Sequence, residues 1–171
     1  MSTSKNIRIN QDFKYVMFHH SEHFNPGVRG VDINAGFVQE GLFGVPQDII
    51  VNVDGKIDLS PRWIRAENAN HFEQNVPLYQ VFKYPIHDIS DSCENQNMNY
   101  VAIHLLVVGN FDQGSPTVAQ LSMLNSLLIL VQQQVPTVID VVFHGDIVST
   151  SCPGVLFPPK QYWRNIFQGI S

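Results

Sequence analysis

The stretch VVFHGDIVSTSCPG, Val141 to Gly154, constrains this chain more than any other. The run Val138 to Phe143 is short, rich in β-branched residues and bounded by turn formers, which predicts a buried strand. His144 then stands at the strand's end. Cys152 follows eight residues later in a Cys-Pro-Gly turn that can fold the loop back onto the imidazole. One imidazole and one thiolate are half of a zinc site. Tyr15 to Phe18 is a second short apolar run, and it ends in His19, His20 and Ser21. With both strands in one sheet and their ends level, a histidine from each meets Cys152 above the sheet edge. Two nitrogens, one sulfur and an open fourth position describe a catalytic zinc, because structural zinc is usually closed by four protein ligands.

The remaining patterns predict an α/β fold. Val31 to Phe43 carries apolar residues at near-helical spacing, a helix opened by Asp32 and ended by Gly41, Gly44 and Pro46. Asp48 to Val53, Asp54-Gly55 and Lys56 to Leu59 give a hairpin signal. Pro61 to Phe72 predicts a short helix with Pro61 in its first turn. Asn75 to Asn99 is Asn-rich and irregular apart from the apolar LYQVF, and loops of that length are uncommon without a function. Tyr100 to Val108 predicts a buried central strand. Thr117 and Gln120 stand at capping-box spacing before a helix whose apolar face is Val118, Leu121, Leu124, Leu128, Val131 and Val135. Pro158 to Gln168 reads as a last helix. Strands and helices interleave, so a single domain over 1–171, its core at about 13–168, should hold one central mixed β-sheet flanked by helices.

A net charge of −5 with no basic tract argues against a nucleic-acid surface and against electrostatic capture by anionic membranes or wall polymers. Counting alone permits one Cys93–Cys152 bridge. Using Cys152 as a ligand leaves Cys93 free, which suits a reducing compartment. The start, MSTSKNIRINQDF, lacks the apolar core of a signal peptide and no run approaches membrane-spanning length, so cytoplasmic synthesis is expected.

Taken in order, FHHS, NVDGKI, a strand ending VGNF, PTxxQL opening a helix, and FHGDI followed by TSCPG resemble the type 2 N-acetylmuramoyl-L-alanine amidases. That family includes phage lysins and animal peptidoglycan recognition proteins, and the match runs from about Tyr15 to Phe167. The resemblance implies the amidase and recognition-protein fold. It also implies hydrolysis of the amide between the lactyl group of N-acetylmuramic acid and L-alanine. Peptidoglycan is then the partner, with no nucleic acid and no membrane insertion, and Zn2+ is the cofactor. Motif alignment assigns His19, His144 and Cys152 as its ligands. His20 points to the opposite side of its strand and is left a structural or outer role. Thr150 matches a position where the family carries a threonine or lysine that assists the transition state. Its hydroxyl can donate to a developing oxyanion, and a local turn bond is the equal alternative. Asn75 to Asn99 would border the substrate groove.

The pattern breaks at the proton shuttle. The tyrosine of many relatives falls on Gln47, and the glutamate of one branch falls on Leu106. His104 shares a face with Leu106 and Val108 and is a candidate acid or base, although a histidine in an apolar strand is more often a satisfied core residue. Two other functions stay open. A non-catalytic peptidoglycan-binding module of the same fold is favoured by the missing shuttle and opposed by the retained Cys152. A thiol hydrolase with Cys93 as nucleophile and His144 as base lacks a convincing helix in ENQNMN to lower the thiol pKa. The expected function is a zinc-dependent cell-wall amidase of phage or prophage origin, released to the wall as holins release phage lysins.

Overall fold

The computed structural model describes residues 7–23, 25–84 and 86–169. The chain opens with strands β1 (Ile7–Ile9) and β2 (Tyr15–His20), followed by helix α1 (Gly30–Gln39) and the hairpin strands β3 (Ile49–Val51) and β4 (Ile57–Leu59). Then come strand β5 (Ile86–Asp88), helix α2 (Gln96–Val101), strand β6 (Ala102–Val107) and helix α3 (Val118–Gln134). Strand β7 (Asp140–Phe143) leads to the one-turn helix α4 (His144–Ile147) and to α5 (Lys160–Phe167). The central sheet has the order β4-β3-β6-β2-β7. Within it β3, β6, β2 and β7 are parallel and β4 is an antiparallel edge. This is the mixed sheet the sequence predicts. Its parallel strands end on one rim, the side on which open α/β sheets hold ligands.

Side chains alternate between the two faces. Val16 and Phe18 of β2, Ile103 and Leu105 of β6, and Val141 of β7 pack with Leu124, Leu127, Leu128 and Val131 of α3 and with Trp163 and Phe167 of α5. On the other face Ile50 and Leu106 meet Ile33 of α1, and Met17 meets Met98 of α2 and Cys93. Burying each large apolar side chain stabilises by about 1.5–3 kcal/mol, so the sheet is held from both sides. Helix α3 opens on a reciprocal cap, Thr117 Oγ1 accepting from the Gln120 N–H at 3.1 Å and Gln120 Oε1 from the Thr117 N–H at 3.0 Å. Its buried stripe is Gln120, Leu124, Leu127, Leu128 and Val131, whereas Val118 is 84% exposed. Two residues of helix separate Val118 from Gln120 by roughly 200° of rotation, so both cannot face the sheet.

Three other expectations are corrected. Residues 61–72 do not form a helix, because the chain turns once and Arg65 adopts a left-handed φ of 53°. That single turn drives Trp63 fully into the core, stacked on His87 at 3.9 Å between ring centroids. Second, Asn75 to Asn99 contains a 3-10 segment at Leu78–Lys83, the strand β5 and most of α2. β5 pairs antiparallel with β1, so Ile7–Ile9 is part of the fold. Third, α2 extends to Val101, so β6 begins two residues later than Tyr100. Among the described residues no helix is long and apolar enough to cross a membrane.

His87 makes part of this core pH-sensitive. It is fully buried, its Nδ1–H donates to the Trp63 carbonyl at 2.7 Å, and Nε2 lies 2.7 Å from Asn10 Oδ1, an amide that when turned over presents an N–H to the neutral ring. Burial, aided by the nearby Arg8 charge, pushes its pKa down to about 4 against the pull of the Trp63 carbonyl. A depressed histidine pKa favours the neutral form in the fold. Its stability contribution is complete above the unfolded value near 6.5 and is lost as pH falls towards 4, about 3 kcal/mol at the lower limit. Denaturant unfolding between pH 7 and 4.5 should show this loss, and His87→Gln should flatten the slope by a similar amount.

Candidate metal centre

Register explains why the histidines meet. Phe18 of β2 is paired with Phe143 of β7, so the next residues, His19 still in β2 and His144 just past the end of β7, stand side by side. Their rings lie 4.7 Å apart. Cys152 returns through the turn after α4, where the Gly145 N–H donates to the Cys152 carbonyl at 2.9 Å. A Cβ at Gly145 would stand 2.5 Å from the Thr150 carbonyl oxygen, and one at Gly154 (φ 116°) would stand 2.5 Å from the Phe111 backbone. Only glycine lets the loop close this tightly. The closure sets Cys152 Sγ 3.9 Å from His19 Nδ1, and the His20 N–H donates to the sulfur at 3.4 Å. One ligand atom each from His19, His144 and Cys152 falls within 4.8 Å of the others.

Hydrogen bonds fix which nitrogens face this space. His104 Nε2 lies 2.9 Å from the Met98 carbonyl, which can only accept, so Nε2 carries the hydrogen and Nδ1 the lone pair. His19 Nε2 is 2.8 Å from that Nδ1, so it donates and leaves its own lone pair on Nδ1, the atom beside Cys152. His144 Nε2 lies 3.1 Å from Glu94 Oε2, another acceptor, and its lone pair is likewise left on Nδ1. One ring nitrogen of each histidine and the thiol therefore converge. Burial, with the neighbouring His104 adding to it, holds His19 well below the ordinary histidine range, so it offers a neutral ring. Burial also pushes the Cys152 thiol up to about 12, and a nearby cation is what would make it a thiolate.

The cleft above these atoms is about 250 Å³, with Glu22, Ile33, Phe37, Gln47, Leu106 and Thr150 among its walls. Thr150 Oγ1 accepts from the Cys152 N–H at 3.2 Å, which leaves its own hydrogen free to point into the cleft. Gln47 Oε1 is buried with no hydrogen-bond partner among the described residues. His104 does not reach the cleft. It is fully buried behind His19, with burial holding its pKa down at about 3. His20 Nδ1 accepts from the Phe111 N–H at 3.1 Å, so its Nε2 carries hydrogen and offers no lone pair towards Glu22 and Asp112. Cys93 does lie near His144, but it is 5% exposed, burial raises its pKa, and His144 Nε2 is taken by Glu94. Reading the sequence missed Ser92 and Glu94, because the irregular stretch around them carries no periodicity.

No family model matches this chain, and no curated protein matches it in sequence. Solved structures do match. The N-acetylmuramoyl-L-alanine amidase LysC from Clostridium intestinale superposes with a TM-score of 0.66 at 17% identity, over 100% of this chain and 96% of its own. Bumblebee PGRP-SA gives 0.65 at 14% identity, over 96% and 87%. The Ph2119 endolysin from a Thermus scotoductus bacteriophage gives 0.60 at 19% identity, over 95% and 89%. With its mixed sheet and flanking helices, the chain has the fold shared by N-acetylmuramoyl-L-alanine amidases and peptidoglycan recognition proteins.

Proposed function

We propose that the chain is one zinc-dependent amidase domain that hydrolyses the bond between N-acetylmuramic acid and L-alanine in peptidoglycan and acts on the cell wall after release. The observation that carries this reading is the convergence of one ligand atom each from His19, His144 and Cys152 within 4.8 Å, with His19 Nδ1 3.9 Å from the sulfur. Two imidazole nitrogens and a thiol suit Zn2+, and three protein ligands leave the fourth position to substrate chemistry. When bound there, zinc supplies Lewis acidity and a water acidified towards neutrality.

The remaining work falls to this chain's own residues. Thr150 donates its hydroxyl hydrogen to the oxyanion that develops on the scissile carbonyl. His104 acts through His19 by fixing its tautomer, a positioning role in place of the acid–base role that its strand position suggested.

A second reading, a peptidoglycan-binding module without catalysis, is favoured by one observation. Gln47 and Leu106 both line the cleft, and neither can carry a proton to the leaving amine. The deciding experiment measures new L-alanine amino termini released from purified peptidoglycan, first with a zinc chelator and then with zinc restored. Release that stops and returns is the expected result. No release by a zinc-loaded, folded chain that still binds the wall would replace the amidase with the binding module.

A further inference from the structure

The segment from Ser90 to Glu94 belongs to no helix or strand, yet it touches both histidine systems. Ser92 Oγ lies 2.8 Å from His104 Nδ1, the atom that receives His19, and Glu94 Oε2 lies 3.1 Å from His144 Nε2. The segment's backbone is anchored. Ser90 Oγ donates to the Pro46 carbonyl at 2.7 Å. Fully buried Asn99 accepts from the Cys93 N–H at 2.9 Å and donates to the Cys93 carbonyl at 2.6 Å. Glu94 therefore springs from a fixed point, although 69% of its side chain remains exposed.

We propose that Glu94 is the positioning residue of His144: its carboxylate, 3.1 Å from Nε2, holds the ring and the tautomer that leave the Nδ1 lone pair free for a metal. This rests on the metal-centre reading above. Without Glu94, rotation of the ring or a shift of its hydrogen to Nδ1 would remove that lone pair from the site. A hydrogen bond to a carboxylate that is 69% exposed contributes little to folding, so the effect belongs to metal affinity and not to stability.

The test compares full-length wild type, E94A, E94Q and E94D. Zinc affinity is read by competition with a chromophoric chelator, cobalt absorption spectra report ligand geometry, and apo-protein unfolding reports the fold. E94A should bind zinc about 10–100-fold more weakly. E94Q, whose amide oxygen still accepts the Nε2–H without the charge, should fall between E94A and wild type, and E94D should recover part of the loss. The thiolate-to-cobalt band should persist in E94A while the d–d bands shift, and the apo unfolding midpoint should not move. Equal zinc affinities in wild type, E94A and E94Q would overturn the assignment and leave the centre standing. An affinity loss that merely tracked a lower apo midpoint would also overturn it. A wild-type cobalt form without a thiolate band would overturn the centre itself, and the role of Glu94 with it.

Discussion

Cys152→Ser should abolish zinc binding and amide hydrolysis together while leaving the fold in place. Zinc affinity is expected to fall by more than about a hundredfold, beyond the loss typical of outer partners. A soft thiolate is a far better zinc ligand than a hydroxyl, and only the thiol is readily deprotonated by the metal. The fold should survive because Cys152 is only partly buried and accepts one backbone bond, from the His20 N–H, which a serine oxygen can also accept. Cys93→Ser is the control. It disturbs a buried apolar cluster with Met17, Met98 and Ala102, costs about 1 kcal/mol of stability, and should leave zinc affinity and hydrolysis unchanged. Chelator competition and amino-terminus release read both variants. The reverse result, with Cys93→Ser inactive and Cys152→Ser active, would make Cys93 the nucleophile and sink the metal mechanism.

How much of this was legible in the sequence depends on whether a contact follows from strand ends or from register. Two apolar runs ending in histidine were enough to expect an imidazole from each strand to meet, because strands that finish on one rim bring their next residues together, and the resemblance to the amidases singled out His19 over His20. The Cys-Pro-Gly turn likewise announced the return of Cys152. The contact of His19 with His104 was not readable in the same way. It depends on β2 and β6 pairing so that Met17 faces His104, which puts His19 on the same face one step further along. A shift of one residue would have sent His104 to the opposite face. The β1–β5 ribbon escaped because three-residue strands carry too little alternation to show a period. Trp63 escaped for another reason. Pro61 and the residues after it have helix-compatible character, but burial of the indole against Phe13 and His87 favours a single turn over continued helix.

Asp48→Ala should be the most destabilising single change outside the apolar core, costing about 3–5 kcal/mol in denaturant unfolding. Asp48 Oδ2 accepts from Arg8 Nη2 at 2.8 Å and from the His104 backbone N–H at 2.8 Å, and both charged side chains are fully buried. Removing the carboxylate takes away the direct ion partner of a guanidinium that keeps the carbonyls of Asn99 and Tyr100, the Phe13 ring and the fields of Asp12 and Asp88, and it leaves a buried N–H without an acceptor. The ion pair is nonetheless a weak source of net stability. Burial lowers the Arg8 pKa and raises that of Asp48, so loss of water outweighs mutual attraction on both sides. Removing both charges with Arg8→Met and Asp48→Asn should therefore cost much less than Asp48→Ala alone, since the amide oxygen still receives the His104 N–H. What the pair provides is connection. It ties β1 to the backbone of His104, whose ring fixes the tautomer of His19, so Asp48→Ala should also weaken zinc binding in whatever fraction stays folded. If the double variant were as unstable as Asp48→Ala, attraction within the pair would exceed its desolvation. If zinc affinity were untouched in folded Asp48→Ala, the line from β1 to His19 would carry no influence on the site.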